Sequence, residues 1–156
     1  MRLGVLDIGS NSAHLQLVDA EPGAPPLPAF GRKFSTRLES RVSPDGSIPA
    51  DVQRDLFAAI GDSVATAVDH GVEELIAFAT SAMRDAPNSE LVRAEIERRF
   101  GIAVRLLSGQ DEARFTFLAA RRWVGWQAGP ILLFDIGGGS FEIAYGRDEH
   151  PNMAVS

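Results

Sequence analysis

The chain has 156 residues, the size of one ordinary domain, and a hydrophobic fraction of 45% lets it bury a core of its own. It has no cysteine, which excludes disulfides, thiolate catalysis and zinc–sulfur sites, and its three histidines (His14, His70, His150) are not spaced as metal ligands. A net charge of −6 argues against DNA or RNA backbone binding but leaves room for a small anion held by a few local groups.

The N-terminal MRLGVLDIGS has one Arg, a short apolar run and no cleavage signal, so it does not read as a signal peptide. No apolar run approaches the roughly 20 residues that span a bilayer, so a cytoplasmic chain with no membrane partner is expected. Residues 2–8 and 12–19 read as strands around a tight GSN turn. The Pro- and Gly-rich stretch 20–28 reads as a loop, part of 29–38 as a third strand, and SPDG (43–46) as a turn. From Asp51 the period changes: Val52, Leu56, Ile60, Val64 and Val68 mark one face of a helix that stops at Gly71. A strand over 72–80 follows, then a helix over 90–100 capped by Asn88-Ser89 and stopped by Gly101, then a strand over 102–107. Ser108-Gly-Gln-Asp111 opens a helix through about Trp126, and strands 131–136 and 141–146 close the order. This order predicts an α/β fold with a largely parallel sheet carrying an antiparallel edge, and no internal domain boundary. The terminal PNMAVS is apolar and strand-like and reads as a cut. An unpaired strand there invites association, a homodimer in the simplest case.

Two segments repeat one device. LGVLDIGSNSA (3–13) and LLFDIGGGSFE (132–142) are each an apolar strand, then Asp-Ile-Gly, a small polar turn and a returning strand. A carboxylate that closes an apolar strand sits near low-dielectric surroundings, where a divalent cation offsets the cost of its charge. Glycines let backbone N–H groups approach an anion. Asp7 and Asp135 therefore read as two halves of a metal–phosphate site. The competing reading is plain turn chemistry, with Asp bonding its own backbone. A Walker loop is absent, and the residues after Gly139 alternate as a strand instead of opening a helix, which disfavours a dinucleotide fingerprint.

LDIGSNSAHLQLVD, ATSAMRDAPN (79–88), LSGQDEARFTFLAA (107–120) and FDIGGGSFEIAYG (134–146) resemble, in order, the signature blocks of the Ppx/GppA family of exopolyphosphatases and guanosine pentaphosphate phosphohydrolases. The texture is most similar to the short actinobacterial exopolyphosphatases. The resemblance implies a ribonuclease-H-like fold of the actin-like ATPase superfamily, a mixed sheet flanked by helices. It implies that residues 1–156 form the N-terminal lobe of such an enzyme, with a second lobe absent. It also implies Mg²⁺, or another hard divalent cation, and hydrolysis of a terminal phosphoanhydride of polyphosphate with release of orthophosphate.

By this resemblance Glu112 matches the general base and Glu142 a carboxylate assisting at the water, while Asp7 and Asp135 match metal-side carboxylates. Ser10, Asn11 and Ser12, Ser81 and Arg84, and Gly137, Gly138, Gly139 and Ser140 would contact phosphate. From the residues alone, Glu112 and Asp111 are equally well explained by the dipole of a helix first turn, Glu142 by a solvated strand, and Arg84 by pairing with Asp85. His14 departs from the arginine that many members carry. The segment 31–42 fits a glutamate–arginine block loosely, with Arg37 its best candidate. Guanosine pentaphosphate as substrate, a kinase of the same superfamily, and a lobe that binds polyphosphate or alarmone without cleaving it stay open as alternatives.

Overall fold

A computed structural model describes residues 1–21 and 27–156; the centre of the loop expected over 20–28 lies outside the described residues. Where the sequence shows no internal boundary, the chain divides into two compact units, Met1–Leu106 and Leu107–Ser156.

The first unit is built on a five-stranded mixed sheet of order β3-β2-β1-β4-β5. Its strands are β1 (Arg2–Ile8), β2 (Ser12–Asp19), β3 (Phe30–Ser35), β4 (Glu74–Ala79) and β5 (Val104–Leu106). β1 and β2 pair antiparallel from Arg2 opposite Asp19 to Ile8 opposite Ala13. β3 extends that edge antiparallel, whereas β4 and β5 run parallel to β1. The sheet is thus evenly mixed and not largely parallel. Alternation does the sorting: Leu6, Ile8, Leu15 and Leu17 point to one face and are buried there. That face is covered by α1 (Ala50–Asp69) and α3 (Ser89–Phe100), whose Leu56, Ile60 and Ile96 join the same core.

Three expectations for these helices need correction. Val52, Leu56 and Ile60 are buried, but Val68 is 70% exposed. A strict four-residue repeat drifts roughly 40° per step on a helix of 3.6 residues per turn, so the core side passes to Ser63 and Ala67. Asn88 does not cap α3 with its side chain; its Oδ1 accepts from the Ile48 amide (2.9 Å) and its Nδ2 donates to the Ile48 carbonyl (2.9 Å). A four-residue helix α2 (Ser81–Arg84) fills what reads as loop.

The second unit holds α4 (Gly109–Val124) and an antiparallel sheet of β6 (Ile131–Ile136), β7 (Phe141–Gly146) and β8 (Met153–Val155). The hairpin 131–146 therefore begins a separate sheet and does not extend the first. Ser108 caps α4 as its sequence predicts, its Oγ accepting from the Asp111 amide at 3.1 Å. Arg114 and the Ser108 hydroxyl beside it hold the Asp111 carboxyl below its usual range, the hydroxyl bond leading. α4 packs Ala113 and Phe117 onto Ala144, Ile131 and Leu133. Among the described residues no helix is long and apolar enough to cross a membrane.

Candidate functional site

In the first unit, β1 sits where the sheet order turns. Its outgoing loop leads to β2 on one side, while the loop after its parallel neighbour β4 leads away toward β5. The carboxyl ends of β1 and β4 therefore face one crevice edge, the usual place for ligands in open α/β sheets. Asp7 and the turn Gly9–Asn11 close β1, and Thr80–Ser81 closes β4. The two loops are tied directly, Ser10 Oγ lying 3.1 Å from Ser81 Oγ in a buried contact. The Ser10 carbonyl accepts from Glu39 N–H (3.0 Å), and the Asn11 carbonyl from Thr36 (3.1 Å) and Arg37 (2.9 Å). The turn is thus fixed from a third segment. Arg84 donates from Nε to Asp85 Oδ1 (3.1 Å), as the charge reading anticipated.

Asp7 carries the main anomaly of this unit. Its Oδ1 is buried and has no hydrogen-bond partner among the described residues. Burial pushes its carboxyl up from the ordinary range, and His14, directly opposite on β2, opposes that push. A buried carboxylate oxygen without a partner is costly unless an ion or ligand meets it.

The second unit brings three predicted residues onto one side of its sheet. Asp135 and Glu142 are directly opposite each other across β6 and β7. Like charges in that position repel. Glu142 is only 3% exposed, so it is no solvated strand residue. Its Oε1 accepts from Ser156 Oγ (2.9 Å), and Asp135 Oδ2 accepts from Thr116 Oγ1 (3.2 Å). Glu112 stands one turn before Thr116 on the same face of α4, half-buried, its amide bonded to the Ser108 carbonyl at 2.9 Å.

The two Asp-Ile-Gly turns are closed alike. Gly9 N–H bonds the Ser12 carbonyl (2.9 Å) and Gly137 N–H the Ser140 carbonyl (3.0 Å). Neither glycine takes positive φ; what would crowd a side chain at Gly137 is the Ser140 carbonyl, 3.2 Å from where a Cβ would stand. The Gly137 N–H is engaged in this turn, so of the predicted phosphate contacts it contributes shape and not a donor.

Sequence reading missed Thr116 and Ser156. Thr116 and Ser156 are seen only through partners far along the chain.

For a cation the donors divide. Among the described residues no group of three or more histidine or acidic side chains is gathered to hold a metal. The unpartnered Asp7 oxygen, and the facing Asp135 and Glu142, still fit a hard ion of the Mg²⁺ kind, which takes one or two carboxylates and keeps waters or substrate oxygens for the rest.

The Ppx/GppA phosphatase family matches this chain over residues 17–156. Exopolyphosphatase 1 of Mycobacterium tuberculosis is 47% identical over 156 residues, which is all of this chain and 45% of that protein. Guanosine-5'-triphosphate,3'-diphosphate pyrophosphatase of Pseudoalteromonas translucida is 27% identical over 145 residues, covering 92% of this chain and 29% of its own length. The crystal structure of an exopolyphosphatase from Cytophaga hutchinsonii superposes with a TM-score of 0.91 at 26% identity, over 99% of this chain and 49% of that one. The Aquifex aeolicus Ppx/GppA protein gives 0.87 at 26% identity, over 99% of this chain and 50% of that one. The chain spans about half the length of Exopolyphosphatase 1 and of the two solved proteins, and less than a third of the Pseudoalteromonas protein. The fold is accordingly ribonuclease-H-like, of the actin-like ATPase superfamily. The repeated Asp-Ile-Gly turns, the carboxylates beside them and the match over residues 17–156 agree: the chain belongs to the Ppx/GppA phosphatase family.

Proposed function

We propose that the protein is a Mg²⁺-dependent exopolyphosphatase of the cytoplasm, which hydrolyses the terminal phosphoanhydride of inorganic polyphosphate and releases orthophosphate. The observation that carries this reading is the placement of Asp135 opposite Glu142, beside a glycine turn and beneath the α4 face that bears Glu112 and Thr116. The 47% identity to Exopolyphosphatase 1 supports the choice of substrate.

Glu112 serves as the base that orients and deprotonates water, and Glu142, held by Ser156, assists it. Asp7 and Asp135 are the metal-side carboxylates. Mg²⁺, when bound, supplies neutralisation of charge on the phosphoryl oxygens. Thr116 orients the Asp135 carboxylate through its hydroxyl hydrogen bond to Oδ2. In the first unit Ser10, Asn11, Ser12, Ser81 and Arg84 are the phosphate-contacting residues, and in the second Gly138, Gly139 and Ser140 are, with Gly137 shaping the turn. Positioning and electrostatics of this kind supply most of the rate in phosphoryl transfer.

The test is orthophosphate release from long polyphosphate with and without Mg²⁺. Glu112→Gln is expected to lower turnover about 10²-fold, the usual scale for a lost general base. Unchanged turnover in that variant removes Glu112 from the mechanism. Guanosine pentaphosphate is the second reading, favoured by the 27% identical relative; faster release from it than from polyphosphate would install it as substrate. Tight polyphosphate binding without any release would favour a binding role.

A further inference from the structure

Beside the first turn lies an open cleft of about 510 Å³, lined by Asn11, Ser12, Lys33, Ser35, Arg37 and Ser40. Two cations and four neutral hydrogen-bonding side chains line it, with no carboxylate and no aromatic ring among them. That lining runs against the net charge of −6 of the whole chain. Neither Lys33 nor Arg37 makes an ion pair among the described residues, although this chain pairs its Arg2, Arg41 and Arg98 with carboxylates.

Register joins the cleft to the candidate site. Asp7 is opposite His14, and His14 is opposite Lys33, so the three occupy one row across β1, β2 and β3. Ser12 is opposite Ser35 in the row nearer the turn. Directly opposite residues share a sheet face, and two strand spacings put Lys33 roughly 10 Å from Asp7. Asn11 and Ser12 belong both to the turn and to the cleft. Arg37 takes φ +50°, the one positive φ at a non-glycine among the described residues. Its amide bond to the Asn11 carbonyl holds it there. Backbone strain of this kind persists only where surrounding structure enforces it, and it collects at ligand clamps.

We infer that Lys33 and Arg37 form a second anion subsite, which holds phosphate groups of a linear polyphosphate beyond the terminal one. This rests on the exopolyphosphatase reading and deepens it. The hydroxyls and cations of this lining suit a bare chain of phosphates, and a nucleoside would meet no aromatic ring among these residues on which to stack.

The experiment is calorimetric titration of the 156-residue chain with long-chain polyphosphate and with pyrophosphate, at fixed Mg²⁺ and salt. Wild type is compared with Lys33→Gln, Arg37→Gly and Arg37→Lys. Lys33→Gln and Arg37→Gly are each expected to weaken the long chain about tenfold and pyrophosphate no more than about twofold, the scale of one charge-assisted contact. Arg37→Lys should recover part of the loss. Arg37→Gly also relieves the strained φ, so an unchanged or higher melting temperature certifies its fold. Equal losses for both ligands, or none for either, overturn the subsite. So does guanosine pentaphosphate binding more tightly than polyphosphate and losing affinity in the same variants. Length-dependent binding without phosphate release keeps the subsite and sinks the catalytic reading alone.

Discussion

At the scale of single residues, Asp7 shows what a buried carboxylate costs its host. Its Oδ1 is buried without a partner, and burial raises its carboxyl against the opposing pull of His14. With a folded-state value above the unfolded one, the folded chain holds the proton more tightly. The contribution of Asp7 to stability is therefore greatest below the ordinary carboxylate range, about 3.9, and is lost as pH rises through the raised folded value. Asp7→Asn removes the buried charge while keeping a polar side chain, and is expected to stabilise the metal-free chain at pH 7 by on the order of 1 kcal/mol. The gain should fade at pH 3. Urea midpoints at the two pH values measure it. Mg²⁺ should raise the wild-type midpoint at pH 7 and leave that of Asp7→Asn in place. Equal midpoints for both proteins without metal would mean that the Asp7 carboxylate is effectively solvated. The sequence exposes Asp7 as the carboxylate closing a strand before a glycine turn. It cannot show the missing partner, because partners come from elements far along the chain.

At the scale of elements, α4 shows the same division. Its start is local chemistry, Ser108 capping Asp111, and is readable in four letters. Its attachment is not. Arg121 looks like one more charge in an RRW run, yet it is fully buried. Its guanidinium donates to the carbonyls of Ala128 (3.0 Å), Gly129 (3.0 Å) and Gly146 (3.3 Å), tying the helix to the strand ends. Its Cζ also lies 5.9 Å from the centre of the Phe117 ring. Arg121→Met keeps the length of the side chain and strands three acceptors. It should destabilise the second unit by about 3 kcal/mol, the upper end for buried polar groups left unpaired. Arg122→Met is the control. Arg122 is half-exposed and only 3.9 Å from Glu149, so its loss should stay within about 0.5 kcal/mol. Thermal melting of both variants decides the matter, and matching melting points would demote Arg121 to a surface cation. The helix α2 is unreadable for another reason: four residues are too few to carry a period. Asn88 misleads because an Asn before a helix has the same letters whether it caps that helix or reaches across to Ile48.

At the scale of the whole molecule, the two units differ in what they bury. The first closes Leu6, Ile8, Leu15, Leu17, Leu56, Ile60 and Ile96 into one core. The second buries fully only Ala113, Phe117 and Ala144 among its apolar residues. On the other face of its sheet Leu132, Phe134, Ile136, Tyr145 and Met153 are all more than 40% exposed. This is why the sequence hides the boundary. The run ILLFDI is as apolar as a strand buried on both faces, but in the structure it alternates between covered and exposed. Composition alone cannot distinguish a covered apolar face from an uncovered one. A unit of this size with so small a core is marginal by itself. Its strands β6, β7 and β8 should exchange their amides through openings that leave the first unit intact, at least about 100-fold faster than β1, β2 and β4, which need global unfolding. Hydrogen exchange read by mass spectrometry separates the two sets of peptides directly. Equal protection would mean that the chain unfolds as one cooperative body. Unequal protection has a further consequence for the candidate site. Glu112, Asp135 and Glu142 would then stand on the less stable unit, so any condition that loosens β6–β8 should abolish phosphate release well before the first unit melts.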